Sequence, residues 1–113
     1  MVYQGIVIHH SICPSINGKG YDYYITKDLS IIPASEASLD SEFIHICIEG
    51  DFTEVKEIPL TVNEQLFLLK KLIIRLSTLH AFSIHDVYGH THLCPGEDFP
   101  WSDLVISSDN VYH

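Results

Sequence analysis

Positive charge is scarce in this chain. Six Lys and Arg stand against fifteen Asp and Glu in 113 residues, a formal net charge of -9, and Lys70, Lys71 and Arg75 crowd onto one segment. A phosphate backbone selects for clustered cations, so this balance excludes nucleic acid as a partner. Long apolar runs are missing too: residues 66–79, the most apolar stretch, are interrupted by those same three cations. A membrane-spanning helix needs about 18 uninterrupted apolar residues, so none is expected and no membrane partner is assigned. Cysteines are few and odd in number (Cys13, Cys47, Cys94), at spacings that describe no disulfide framework. The start Met1-Val2-Tyr3-Gln4-Gly5 has neither a basic n-region nor an apolar h-region. The expectation is a chain without a signal peptide, made in the cytoplasm and kept there, exported by a route that needs none, or shorn of its leader.

What is present is enough for one core. Hydrophobic residues make up 46% of the chain, charged residues 19%, and the mean hydropathy is +0.15, which is not the composition of a disordered segment. There is no repeat, low-complexity tract or linker, so residues 1–113 read as a single domain. Residues 5–9 form a continuous β-branched run that suits a buried strand, and residues 13–20 are dense in turn formers. Residues 21–26, rich in tyrosine, read as a second strand, 30–32 as a short third, and 43–48 as a buried fourth; 33–41 are small and polar, a surface loop. Cys47, inside the fourth run, reads as a small buried hydrophobe.

A helix is predicted from Thr61 to His80. Thr61 and Glu64 make a capping box with Pro59 just upstream, and Leu66, Leu69, Leu72, Ile73, Leu76 and Leu79 keep helical spacing while Lys71, Arg75 and Thr78 fall away. That stripe reads as a core face. Beyond His80 the chain is expected to be irregular, and irregular backbone on a rigid scaffold is where sites tend to lie. The fold class that follows is α/β: a compact domain with a central mixed β-sheet and helical packing against it.

Eight histidines are many for 113 residues. His90, His92 and Cys94 fall within five positions, and His9-His10 close the first strand, where open α/β sheets commonly place ligands. Catalytic zinc takes three N, S or O ligands and keeps a fourth position for water, so a His, His, Cys set is apt. Spacing alone also allows loop histidines with ordinary partners, and Cys94-Pro95-Gly96 reads equally as a turn.

The ordered set Ile6-Val7-Ile8-His9-His10-Ser11, Gly20-Tyr21-Asp22-Tyr23-Tyr24-Ile25, residues 44–52, Gly89-His90, Cys94-Pro95-Gly96 and Phe99-Pro100-Trp101 resembles the zinc-dependent N-acetylmuramoyl-L-alanine amidases, a group that includes T7 lysozyme and the peptidoglycan recognition proteins. The match is collinear over nearly the whole chain. The resemblance implies zinc held by His9, His90 and Cys94, with His92 as an alternative to His90, and catalysis assisted by Tyr21 beside the metal. His92 stands where the family commonly has Lys or Thr, and an imidazolium there could donate to a developing oxyanion. Tyr21 also has a plain reading as a strand tyrosine packed on its neighbours. The chain departs from the family between the first ligand and the tyrosine strand, where only residues 11–20 intervene in place of a helix. The implied function is hydrolysis of the amide between N-acetylmuramic acid and L-alanine in peptidoglycan, as a cell-wall-degrading, endolysin-like enzyme. A binding-only peptidoglycan module is the alternative.

Overall fold

The computed structural model describes residues 3–11, 21–34, 42–50 and 60–89. The elements run β1 (Gly5–His10), β2 (Tyr23–Ile25), β3 (Ile31–Pro33), β4 (Phe43–Ile48), α1 (Leu60–His80) and β5 (Val87–Gly89). They form one five-stranded sheet in the order β3-β2-β4-β1-β5. The β1–β4, β1–β5 and β2–β4 pairs are parallel and β2–β3 is antiparallel. The expected mixed α/β domain is what the chain folds into.

The two longest strands occupy the centre. Parallel strands at the centre of a sheet are rich in apolar residues, and Gly5–His10 and Phe43–Ile48 are apolar apart from His9, His10 and His45. Side chains alternate between faces. Ile6, Ile8, Ile25, Ile44, Ile46, Ile48 and Val87 join Leu66, Leu69, Leu72, Ile73 and Leu76 of α1 in one buried cluster. The helix thus covers one face of the sheet, and each large aliphatic there contributes roughly 1.5–3 kcal/mol by leaving water.

Several expectations shift on contact with tertiary structure. β2 begins at Tyr23, not Tyr21, where Asp22 meets the middle of β4 with its side chain: Asp22 Oδ2 accepts the His45 N–H at 2.8 Å while the Asp22 N–H donates to the His45 carbonyl at 2.7 Å. β3 begins one residue later than expected, since Ser30 is used by the turn; its carbonyl accepts the Thr26 N–H at 2.9 Å. Leu29 fills the left-handed place in that turn (φ 68°). The helix begins one residue early, at Leu60. Leu79, placed on the apolar stripe by spacing, is 70% exposed. In the last turn His80 takes the inward position, its ring edge-on to Tyr3 with centroids 5.0 Å apart. The stripe also holds a polar residue, Gln65, fully buried, whose Nε2 donates to the Glu49 carbonyl at 3.0 Å and ties α1 to the end of β4.

The segment after His80 is not wholly irregular: Val87–Gly89 pairs with β1. Its fit is close, since a Cβ on Gly5 would run into the Asp86 carbonyl oxygen, which already accepts the Ile6 N–H at 2.8 Å. Among the described residues no helix is long and apolar enough to cross a membrane.

Candidate active site

The sheet face away from α1 has a different composition. Tyr24, Cys47 and His9 form a row across β2, β4 and β1, because the register pairs Tyr24 with Cys47 and Cys47 with His9. Each is the sole outcome of alternation on its strand: Ile25, Ile46, Ile48 and Ile8 face the helix, so their neighbours face the other way. The row lies near the carboxyl ends of three parallel strands, where backbone leaves the sheet and side chains can meet a ligand.

His9 is buried, 3% exposed, and its Nε2 lies 2.7 Å from Nδ1 of His45, with ring centroids 5.0 Å apart and planes 26° from parallel. His10 is equally buried, but alternation sends it to the face that α1 covers. This distinguishes the two members of the His-His pair. Tyr21 packs on Cys47 and stands 5.4 Å, centroid to centroid, from Tyr24. Its position is fixed through the next residue, since Asp22 is doubly hydrogen-bonded to the His45 backbone. Tyr21 and His9 are therefore brought to one face of the sheet.

The rim of this face is tied down by Ser11. Its Oγ accepts the Gly50 N–H at 2.9 Å and donates to the Gly50 carbonyl at 3.2 Å, joining the ends of β1 and β4. Burial pushes the Tyr24 hydroxyl above its ordinary pKa, with Cys47 and Glu49 adding to the shift, the Ser11 hydroxyl opposing it, and Tyr21 adding the least. The hydroxyl therefore remains a proton donor through the neutral range. On the outer strand Tyr88 sits edge-on to Phe43 and donates to Asp86 Oδ1 at 3.0 Å.

His90, His92 and Cys94 lie outside the described residues. Among the described residues, no three His, Cys, Asp or Glu side chains converge to hold a metal. Two further residues of this face, His45 and Tyr24, are not singled out by the sequence pattern. The signal for His45 was its place in an apolar strand, two positions before Cys47, where a titratable ring is unusual.

Comparison with solved structures settles the architecture. The chain is similar to the N-acetylmuramoyl-L-alanine amidase LysC from Clostridium intestinale, with a TM-score of 0.67 and 23% identity over 90% of this chain and 82% of that one. It is similar to the endolysin amidase LysCS of the same organism, with a TM-score of 0.65 and 24% identity over 90% and 80% of the two chains. The chain has the fold of these amidases. That fold also covers Drosophila PGRP-LB, at a TM-score of 0.57 and 19% identity over 86% of this chain and 76% of that one. No protein-family model matches the sequence, and no curated protein matches it. The likeness thus rests on three-dimensional structure, and the amidase fold accounts for the parallel centre, the antiparallel edge and the helix on one face.

Proposed function

We propose that the protein is a zinc-dependent amidase that hydrolyses the bond between N-acetylmuramic acid and L-alanine in peptidoglycan. The observation that carries this reading is the meeting of His9 and Tyr21 on one sheet face, at the carboxyl ends of parallel strands, in a fold whose solved examples include two N-acetylmuramoyl-L-alanine amidases. His9, His90 and Cys94 would hold the metal. The donor set fits zinc, since two imidazoles and a thiolate are ligand types it takes at catalytic sites, and His9 stands on a central strand that admits little movement. When bound, zinc supplies Lewis acidity toward a carbonyl and a water acidic enough to attack near neutral pH.

The chain's own residues supply the rest. The Tyr21 hydroxyl would hold and transfer a proton beside the scissile carbonyl, and His92 would donate to the oxygen as negative charge develops on it. With a net charge of -9, the protein gains nothing from long-range attraction to an anionic wall, so affinity rests on short-range contacts in the groove. Purified sacculi incubated with the zinc-loaded protein should release new L-alanine amino groups, a chelator should stop the release, and added zinc should restore it. Binding to sacculi with no release at any pH from about 5 to 9, zinc being confirmed in the protein, overturns the amidase reading. The binding-only module would then stand, a reading with which the likeness to PGRP-LB is compatible.

A further inference from the structure

His45 has no role in the reaction just described, yet its ring lies within hydrogen-bond distance of His9. The register sets Cys47, not His45, opposite His9; His45 lies two residues earlier on β4, facing the same side of the sheet, opposite Val7. Its ring reaches along the strand so that Nδ1 comes within 2.7 Å of His9 Nε2. Two ring nitrogens this close share one proton, because two bare lone pairs would repel and two N–H groups would collide. The 2.7 Å spacing is that of a hydrogen bond.

We propose that His45 is a positioning residue that accepts the Nε2–H of His9: the spacing fits donation in either direction, and only this one leaves His9 a bare ring nitrogen with which to hold a metal. This inference rests on the zinc amidase reading above. The consequence is chemical: with its proton held on Nε2, neutral His9 presents Nδ1 as the nitrogen with which it would hold a metal. Imidazole ligands are commonly oriented this way, by a hydrogen bond on the ring nitrogen that does not touch the ion. A carboxylate or backbone carbonyl is the usual acceptor; here it would be a second imidazole. His45 is well placed for it, because its backbone is pinned on both sides by Asp22, with the N–H donating to Asp22 Oδ2 and the carbonyl accepting from the Asp22 N–H. The same two hydrogen bonds fix the residue after Tyr21. One histidine therefore links the orientation of the proposed first ligand to the position of the proposed catalytic tyrosine.

The test uses the whole chain and two measurements that do not depend on turnover. Zinc affinity, measured by competition with a chromophoric chelator, should fall on the order of 10- to 100-fold in His45→Phe with one zinc still bound per chain, and His45→Asn, which restores an acceptor, should recover most of it. In the metal-free protein, imidazole 15N spectra should show His9 protonated on Nε2 in the wild type and in His45→Asn, and a mixture of tautomers in His45→Phe. Wild-type affinity in His45→Phe overturns the assignment, as does loss of zinc as complete as in His9→Ala, which would make His45 a ligand. The wild-type spectrum needs no variant to fold, and a His9 lacking the Nε2 proton there also overturns it. A wild-type chain that takes up no zinc overturns the amidase reading and this assignment together, whereas a zinc-loaded wild type indifferent to His45 overturns the assignment alone.

Discussion

The two faces of the β1–β4 core are built from the same strands and serve different ends. Toward α1, every second residue of β1 and β4 is aliphatic but for His10, and seven strand residues with five from the helix form one apolar cluster. Away from α1, the intervening positions carry His9, His45, Cys47 and Tyr24, with Tyr21 beside them. The first face is stabilised by the area it removes from water; the second holds polar groups in fixed relation through hydrogen bonds and strand register. A face of the second kind adds less stability and tolerates less displacement, which is the expected character of a site.

The largest effect that separates the faces should be functional. His9→Ala should abolish zinc binding and lower amide hydrolysis by well over the roughly hundredfold that a single proton-transfer group supplies, while denaturant unfolding changes by about 1–2 kcal/mol. Tyr21→Phe keeps the ring and should cost about a hundredfold in turnover with nearly unchanged stability. Equal activity in wild type and Tyr21→Phe would return Tyr21 to a packing role.

The reverse pattern is expected across the sheet. Ile46 and Cys47 are adjacent and both fully buried, on opposite faces. Ile46→Ala should destabilise by about 2–5 kcal/mol through lost burial and the cavity left against α1, against about 1 kcal/mol for Cys47→Ala. Similar losses in urea unfolding would mean that the two faces contribute alike to stability.

A smaller effect sharpens the helix side. Ala81 is left-handed (φ 59°) just past α1, where the Phe82 N–H closes the cap on the Ser77 carbonyl at 3.1 Å. Glycine takes that conformation without the Cβ penalty, so Ala81→Gly should add about 1 kcal/mol, read as an upward shift in Tm, and leave the opposite face untouched. Unchanged or lowered Tm would refute the strain.

The smallest effect is a pH dependence on the site face. The Tyr24 pKa is raised chiefly by burial, then by Cys47, Glu49 and, least, Tyr21, against an opposing effect of the Ser11 hydroxyl, so the folded chain holds that proton more tightly than the unfolded one. Its contribution is fully present below about pH 10 and is lost as pH climbs through the folded value. Tyr24→Phe should flatten the alkaline side of the stability profile, and an unaltered profile would place the alkaline sensitivity elsewhere.

The amino-acid sequence by itself determined the periodic elements. The two buried strands and the helix are legible because each is long enough for its apolar pattern to repeat: residues 43–48 emerge with the expected bounds, and α1 within one residue. It also marked His9 and Tyr21 as residues of interest, and the collinear motifs named the fold. Tertiary structure alone decided the rest. β5 is three residues, too short to show a period, and exists because β1 offers it an edge. Leu79 lost its place in the core to His80, since helical spacing says which residues share a stripe but not where the sheet beneath them ends. The pairing of His9 with His45 across 36 residues of chain is a product of parallel register, a relation between strands that no local pattern encodes.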